Sequence, residues 1–336
     1  MINCRALIFI TCIFLFSCKK NFSTGISNEI LIISSYEDSL YSSPTIYNFI
    51  QQKNKYLPLE EDYFKVKWVM PSYFKDHINR PLILMLKLNN PIDVTGDKLF
   101  DRIFENKLEN SKINFIKNFY ALEQSIIGIE ADDVIDLNSQ LNNSKQKIFN
   151  EIDDKVFGLI SRKYYKKPKN HFIANKIKER YNINIFIDHE YQIIRDTNNF
   201  LWLGRGVPSW GDPYRWILIK EIDECVTPLE CLDIVQDTFN ILDKSSHIKI
   251  SSYDDVESYR YKYNKNYFIG GSYKYYDIVK NDGVNDTVPK VGGPYISYVH
   301  NNENSSILVI GLINNPGNDK MIYLKQLESI FRDITN

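Results

Sequence analysis

Aromatic side chains and an arginine are concentrated between residues 202 and 216, and their chemistry is that of recognition. Three of the four tryptophans of the chain, Trp202, Trp210 and Trp216, lie there together with Arg205 and Tyr214. Trp202 and Trp216 fall in apolar runs typical of strands, so we expect both to be core residues. Trp210 lies instead in SWGDP, which is rich in turn-forming residues. An exposed tryptophan beside an arginine can stack on a sugar, a peptide side chain or a partner protein.

Two interpretations of this loop stay open at the level of sequence. In one, Arg205, Trp210 and Tyr214 form a binding site for a ligand or a partner. In the other, Trp210 folds back over the core and has no binding role. The second is the ordinary fate of a tryptophan, whereas the turn-rich sequence favours the first.

Local motifs of catalysis are absent from the sequence. It contains no GxSxG, HExxH, GxxxxGK[ST] or calcium-loop pattern. The glycines Gly204 and Gly206 are not followed by a third glycine at dinucleotide-binding spacing. The histidines are scattered, and none shares a motif with a carboxylate or cysteine at metal-ligand spacing. We therefore predict no cofactor, no metal site and no catalytic residue.

The N-terminal segment has the pattern of a secretory signal. Residues 1–5 carry one positive charge, and residues 6–16 are almost wholly apolar. This run is shorter than the roughly 20 residues that a helix needs to cross a bilayer. It ends at Leu15-Phe16-Ser17-Cys18, which resembles the bacterial lipobox. The resemblance implies that Cys18 is lipidated and becomes the first residue of the mature chain. The alternative is an ordinary cleaved signal or an unstructured start with a chance cysteine.

The residues after the cysteine bear on the destination. Lys19 occupies the position where the inner-membrane retention signal has aspartate, and no acidic cluster of the surface-export type follows. This pattern favours the outer membrane, on the face toward the periplasm. The segment up to Asn28 is short and polar, so we predict a tether there.

Cys225 and Cys231 are the two cysteines that remain after such processing. Thr227 and Glu230 form a capping box at a helix start, with a proline at the first helical position. Cys225 therefore precedes the helix, and Cys231 lies in its first turn. An oxidising periplasm permits a disulfide between them. The alternative is two buried free thiols that act as small apolar residues.

Composition bounds the class of protein. The 336 residues suggest two domains, and a hydrophobic content of 43% is sufficient for packed cores. The 41 basic and 42 acidic residues leave a net charge of −1, so no basic excess indicates nucleic acid. The predicted organisation is a signal peptide at 1–17, the lipidated cysteine and tether at 18–28, an N-terminal α+β domain at 29–168 and a C-terminal α+β domain at 169–336.

Hydrophobic periodicity predicts the secondary structure. Strands are predicted at 29–34, 64–69, 82–88, 115–122, 125–130, 183–187, 200–203, 215–220, 267–277, 294–300 and 306–312. Helices are predicted at 44–55, from 72 to 80, at 97–108, from 132 to 167, and at 170–181, 227–242 and 319–334. Residues 280–290, KNDGVNDTVPK, are predicted to be a polar loop between glycine pairs. The fold class is therefore α+β, with two domains of mainly antiparallel sheet covered by helices.

Several segments occur together in a recognisable order. They include SYFKDHINRPLILMLKL, DTNNFLWLGR, FIGGSYKYYD and VGGPYISYVH. With the lipobox, this order resembles a family of Bacteroidota lipoproteins that carry a domain of unknown function. The resemblance implies an envelope location and supplies no activity and no functional residues. The second half is also similar, in its order of elements, to sandwiches of the PsbP and Mog1 type.

Two function classes follow from these observations. In the first, the protein is a non-enzymatic binding or structural component of the envelope. Its partners are then the membrane, through the lipid anchor, and an unidentified envelope protein or polymer, but not nucleic acid. In the second, it is a hydrolase-type envelope enzyme whose site is assembled across the fold and leaves no local motif.

Overall fold

The computed structural model describes most of the chain in two compact units. The described residues are 20–50, 53–54, 61–89, 94–105, 112–198, 200–223, 230, 233–234, 236–238, 246–250, 259–263, 266–281, 284–301 and 305–335. The first unit comprises Met1–Ile50 and Phe64–Val156, and the second comprises Gln51–Tyr63 and Phe157–Asn336. The predicted domain boundaries stay a prediction.

The first unit contains a five-stranded sheet in the order β2-β1-β3-β5-β4. Its strands are β1 (Glu29–Ile33), β2 (Lys65–Val69), β3 (Leu82–Leu88), β4 (Ile113–Lys117) and β5 (Ser125–Ala131). The pairs β1–β2, β1–β3 and β3–β5 are parallel, and β4 runs antiparallel to β5. The α+β class is confirmed, but the parallel pairs in this sheet differ from the mainly antiparallel sheet predicted.

Parallel pairing suits strands that are buried on both faces. Residues 30–33 and 82–86 are buried at every position, a pattern typical of strands covered by helices on both sides. Parallel neighbours also need a crossover connection. Helix α1 (Tyr36–Ile50) connects β1 to β2, and α2 (Val94–Phe104) follows β3 on the way to β5. The uninterrupted apolar run LILML of β3 carried this signal.

The helix predicted from residue 132 is two helices, α3 (Val134–Asn143) and α4 (Lys145–Tyr164). The Asp133 carboxylate caps α3 by accepting a hydrogen bond from the Asp136 N–H at 2.8 Å, as its place at a helix start predicts. Ser144 separates the helices, and its N–H donates to the Gln140 carbonyl at 3.0 Å.

The second unit is built on one antiparallel sheet. Its strands are β6 (Gln192–Asp196), β7 (Leu201–Val207), β8 (Asp212–Ile222), β9 (Ser246–Ile250), β10 (Tyr259–Tyr263), β11 (Asn266–Asn281), β12 (Val284–Asn301) and β13 (Ser306–Asn314). The order is β9-β11-β12-β13-β8-β7-β6, and β10 also pairs with β11. The likeness to a PsbP or Mog1 sandwich stays a prediction.

Helices α5 (His171–Tyr181) and α6 (Met321–Arg332) cover one face of this sheet. Their apolar side chains, such as Ile177 and Leu327, pack with Leu203 and Ile217 in one buried cluster. We call this the helix face. A second cluster on the opposite face contains Leu218, Leu312 and Tyr295. Six residues between 230 and 238 are helical, in agreement with the helix predicted from Thr227.

Two further predicted elements differ in type from the structure. Residues 183–187 are not part of the sheet, and Asn184 makes one isolated bridge with Thr335. The isoleucines at 183, 185 and 187 are buried in the cluster on the helix face. Alternate isoleucines are therefore buried as in a strand, although this segment makes no hydrogen-bonded pairing with the sheet. The predicted loop 280–290 is mostly strand, because β11 and β12 stay paired as far as Asn281 and Val284. Among the described residues, no helix is long and apolar enough to cross a membrane.

Candidate functional site

The connection between β7 and β8 is a short turn that depends on glycine. Residues 208–210 form a single 3₁₀ turn. Gly206 has φ 104°, and a Cβ atom there would lie 2.1 Å from the carbonyl oxygen of Pro213. Gly211 has φ 78°, with no atom within 4 Å of the same position. Both glycines adopt a backbone conformation that L-residues avoid, so they fix the path of the turn that carries Trp210.

Trp210 extends into solvent from this turn. Its exposed fraction is 85%, and Val207 and Tyr214 on either side are also exposed. We call these three residues the Trp210 surface. The interpretation in which Trp210 folds back over the core does not describe this structure. A large, rigid side chain held in water by a defined turn is suited to enter a pocket on a partner.

Aromatic rings extend from the Trp210 surface along the face opposite the helices. Tyr214 stacks on Trp216 with ring centres 5.8 Å apart, and Trp216 meets Trp202 edge to face at 5.9 Å. Both tryptophans are half-buried and pack against the second apolar cluster, which agrees with their predicted core role. Gly204 makes room here, because a Cβ atom would lie 2.3 Å from Cδ1 of Ile194. We call this the aromatic face.

The Arg205 side chain points away from Trp210, into the helix face. It is almost fully buried and forms ion pairs with the carboxylates of Asp188 and Glu190. A third carboxylate, that of Asp212, is 3.8 Å away. Burial lowers the pKa of the Arg205 guanidinium from its ordinary value and Arg215 lowers it further, while Asp188 and Asp212 raise it. The structure therefore separates Arg205 from the exposed residues with which the sequence grouped it.

Arg215 continues this buried charge cluster toward α6. It is the cross-strand neighbour of Arg205, pairs with Asp212, and donates to Oε1 of Gln326 at 3.0 Å. Its guanidinium lies 5.1 Å from the ring centre of Tyr323. The Nε atoms of both arginines have no hydrogen-bond partner among the described residues. The cluster ties the β7–β8 hairpin to α6, which stabilises the position of the Trp210 turn.

Two phenols complete the cluster as neutral groups. The Tyr164 hydroxyl accepts a hydrogen bond from the Asp188 N–H at 3.3 Å, and the Tyr191 ring centre lies 5.6 Å from Arg205. Burial is the main cause that raises the pKa of both tyrosines. Both therefore stay protonated and do not supply a base.

The other predicted site residues lie outside the described residues. Cys18, Cys225 and Cys231 are all in this group, so the lipidation and the disulfide stay predictions. Within the described part of the chain, no group of three or more His, Cys, Asp or Glu side chains could hold a metal ion.

Sequence reasoning missed the carboxylates that surround Arg205. Asp188, Glu190 and Asp212 belong to two separate segments of the chain. One available signal was the position of Arg205 and Arg215, because each lies two residues along its strand from an apolar residue that faces the helices. A buried arginine requires a carboxylate partner, so these positions predict acidic residues nearby without saying which.

Fold and site together define an α+β protein whose second unit is built on a large antiparallel sheet, with helices on one face and an exposed tryptophan turn at one hairpin. Residues 170–333 match the model of a family described as Domain of unknown function (DUF4837). This match includes α5, the β7–β8 hairpin and α6, so the candidate site lies within that domain.

Structural similarities to solved proteins are weak. One is LpqN, a protein described as involved in cell envelope biogenesis of Mycobacterium tuberculosis. It is 10% identical to this chain with a TM-score of 0.25, and the match covers 46% of this chain and 82% of that one. Human STARD10 is 11% identical with a TM-score of 0.20, over 49% and 74%. The human StarD13 lipid transfer and protein localization domain is 12% identical with a TM-score of 0.20, over 48% and 97%. These scores carry no argument about function. No curated protein sequence is significantly similar to the chain.

Proposed function

We propose that the protein is a lipid-anchored, non-enzymatic binding component of a bacterial envelope, of the Bacteroidota lipoprotein type. Acyl chains on Cys18 hold it to the periplasmic face of the outer membrane, and the Trp210 surface binds an envelope protein. The apolar run that ends at LFSC and the lysine that follows support the location. Two or more acyl chains anchor a protein stably, whereas a single chain gives marginal binding.

The exposure of Trp210 is the observation that carries the binding role. Its side chain is 85% exposed, although the aromatic face beside it offers neighbours against which it could pack. Transfer of a tryptophan from water into an apolar pocket is favourable by about 2–3 kcal/mol. Tryptophan and tyrosine are also enriched among the residues that dominate binding energy at protein interfaces.

The surroundings of Trp210 favour a protein partner over a sugar polymer. Sugar binding combines an aromatic ring with side chains that hydrogen-bond the hydroxyl groups. The Arg205 side chain faces the interior, and the Asp212 carboxylate is held by Arg215. What the turn presents is an apolar surface of Val207, Trp210 and Tyr214. A surface of this kind fits an apolar pocket on a partner protein.

The contacts of the buried cluster do not favour the enzyme alternative. A general base needs a carboxylate or imidazole that can reach a substrate proton. The Asp188 carboxylate is fully buried and paired with Arg205, and the partly exposed carboxylates of Glu190 and Asp212 are each held in an ion pair with one of the two buried arginines. These contacts are those of a structural cluster.

Photocrosslinking in cells tests the binding surface. Replacement of Trp210 by p-benzoylphenylalanine places a reactive aromatic group at the proposed contact. The matched control is the same replacement at Phe172, which is 73% exposed on α5 of the same unit. We expect a discrete protein adduct at 210 and none at 172, and mass spectrometry identifies the partner. Adducts to polysaccharide alone, or equal adducts at both positions, would contradict a protein partner at the Trp210 surface.

The anchor is tested separately. Cys18→Ala removes the acylated side chain and leaves the binding surface unchanged. We expect the variant to leave the membrane fraction or to accumulate as an unprocessed precursor. Normal processing with retention in the membrane would show that the lipid anchor is assigned wrongly.

A further inference from the structure

The chain is already docked on the first unit two residues after the proposed lipidation site. The Lys20 ammonium donates to the Asn118 carbonyl at 2.7 Å. Leu122 N–H donates to the Asn21 carbonyl at 2.8 Å, and Ser23 N–H donates to the Leu122 carbonyl at 2.9 Å. The segment predicted to be a tether is therefore held, from Lys20 onward, against the turn between β4 and β5.

The turn that receives this segment is itself rigidly held. The Gln124 side chain is fully buried and donates to the carbonyls of Ile78 and Arg80 at 2.5 and 2.8 Å. Its Oε1 accepts from the Tyr120 N–H at 2.9 Å. Tyr120 meets Phe119 edge to face at 4.6 Å. These bonds fix the direction in which Phe119 extends.

Large apolar side chains are exposed on both partners of this contact. Phe22 and Ile26 on the N-terminal segment are 54% and 49% exposed, and Phe119 on the turn is also exposed. Lys20 adds a positive charge beside Phe119, and Lys19 adds a second in the sequence. Aromatic rings flanked by lysines are typical of protein surfaces that lie among lipid headgroups. We call residues 20–26 and 118–123 the basal surface.

The short stretch of chain between Cys18 and Lys20 determines what the basal surface faces. Only Lys19 separates Cys18 from Lys20, so the lipidated residue lies at most roughly 7 Å from a docked residue. Acyl chains place Cys18 at the headgroup level of the membrane. A surface within so short a reach of the anchor cannot be held away from the bilayer.

The sheet defines which edge of the first unit this is. The turn 118–123 leads into the amino-terminal end of β5, and Thr24 N–H donates at 2.9 Å to Asn79, just before β3. The basal surface is therefore the edge at which the parallel strands β1, β3 and β5 begin. The opposite edge, where α3 starts, lies about 20 Å away, because β5 has seven residues.

We infer that the basal surface is a second membrane contact, in which Phe22 and Phe119 enter the headgroup layer of the bilayer that holds the acyl chains. The contact orients the first unit with the amino ends of its parallel strands on the membrane. It rests on the proposed lipid anchor at Cys18. The docked segment gives the first unit a fixed orientation at the membrane surface, which a flexible tether would not.

A photoreactive residue on the basal surface tests this inference. The full-length processed lipoprotein is reconstituted in vesicles of phosphatidylethanolamine and phosphatidylglycerol, with p-benzoylphenylalanine at Phe119. The matched control carries it at Ile135, which is 81% exposed near the start of α3. We expect about tenfold more lipid adduct at 119 than at 135, because only the first position lies in the headgroup layer.

Flotation separates the two proposals. Protein that does not float with the vesicles overturns the anchor, and this inference fails with it. Protein that floats but gives equal lipid adducts at 119 and 135, or a protein adduct at 119, overturns the membrane contact alone. Phe22→Ser should leave flotation unchanged and reduce the lipid adduct at 119 several-fold, since one of two inserted rings is lost. An unchanged adduct would contradict insertion of Phe22.

Discussion

The two faces of the β7–β8 hairpin are made by alternate residues of the same strands and have opposite chemistry. On the helix face, Arg205 and Arg215 are buried and pair with three carboxylates, of which only that of Asp188 is fully buried. On the aromatic face, Trp216 and Tyr214 stack and remain partly in contact with water. The two arginines are inside and the aromatic side chains are nearer the surface.

This inversion shows that residue type alone does not indicate which side chains of a hairpin are exposed. An arginine in a loop sequence is normally taken as exposed and available, because arginine is rarely fully buried without a partner. Here the partners exist, and the strand alternation directs Arg205 toward them. The binding role that we propose for the hairpin therefore rests on its aromatic residues, while its charges fix the hairpin in place.

The largest expected effect is on the helix face. Arg205→Met removes the guanidinium and leaves the buried Asp188 carboxylate without its counter-ion. Loss of one partner of a buried ion pair costs about 3–5 kcal/mol. We expect a decrease of that size in the free energy of unfolding, measured by urea denaturation at neutral pH. Arg195→Met is the control, because its exposed guanidinium lies 6.0 Å from the ring centre of Phe200 and its loss should cost less than about 1 kcal/mol.

A double substitution identifies the cause of this loss. Without the arginine, the Asp188 carboxylate stays buried with no counter-ion. Addition of Asp188→Asn removes that uncompensated charge and should restore part of the loss at neutral pH. An equal loss with and without Asp188→Asn would indicate a packing defect instead.

The turn glycines give the next effect and provide a matched pair. Gly206→Ala places a Cβ atom 2.1 Å from a backbone oxygen at φ 104°, so the turn must shift. We expect a loss of about 2–3 kcal/mol in the free energy of unfolding. Gly211→Ala has a positive φ but open space around it, so about 1 kcal/mol is expected. Equal losses for the two variants would show that backbone conformation, not the close approach, determines the cost.

On the aromatic face, Trp216→Ala should cost about 2 kcal/mol, less than the 3–5 kcal/mol of a fully buried tryptophan, because the side chain is half-buried. A double-mutant cycle with Tyr214→Ala isolates the stacking of the two rings. We expect a coupling energy of about 0.5–1.5 kcal/mol. A coupling near zero would mean that the rings contact without stabilising each other.

Sequence patterns identified most elements of the fold for a physical reason. Apolar periodicity records burial, and it predicted the strands β3, β5 and β13 correctly. It does not record hydrogen-bond partners, so the isoleucines at 183–187 were mistaken for a strand. It also does not record strand direction, which the crossover helices determine in the first unit. Strand direction is a property of the chain path between elements.

The candidate site was predictable in part. The turn-rich sequence around Trp210 indicated a loop, and the structure places that side chain in solvent. The direction of Arg205 depends on the phase of β7, and its partners Asp188 and Glu190 come from a segment outside the sheet ladder. The docking of residues 20–23 on the turn 118–123 joins groups about 100 residues apart in the chain, which local sequence cannot indicate.

The smallest expected effect on stability belongs to the residue with the largest proposed role. Trp210→Ala removes a side chain that is 85% exposed, so the free energy of unfolding should change by less than about 0.5 kcal/mol. The same variant should abolish formation of the partner complex, measured by co-purification of the identified partner. Phe172→Ala, a control of similar exposure, should preserve both properties. A loss of more than about 1 kcal/mol on Trp210→Ala would mean that the ring packs against the protein in solution. Retained binding at parental stability would instead transfer the recognition role to the half-buried rings of the aromatic face, since those are the aromatic groups that the hairpin still presents.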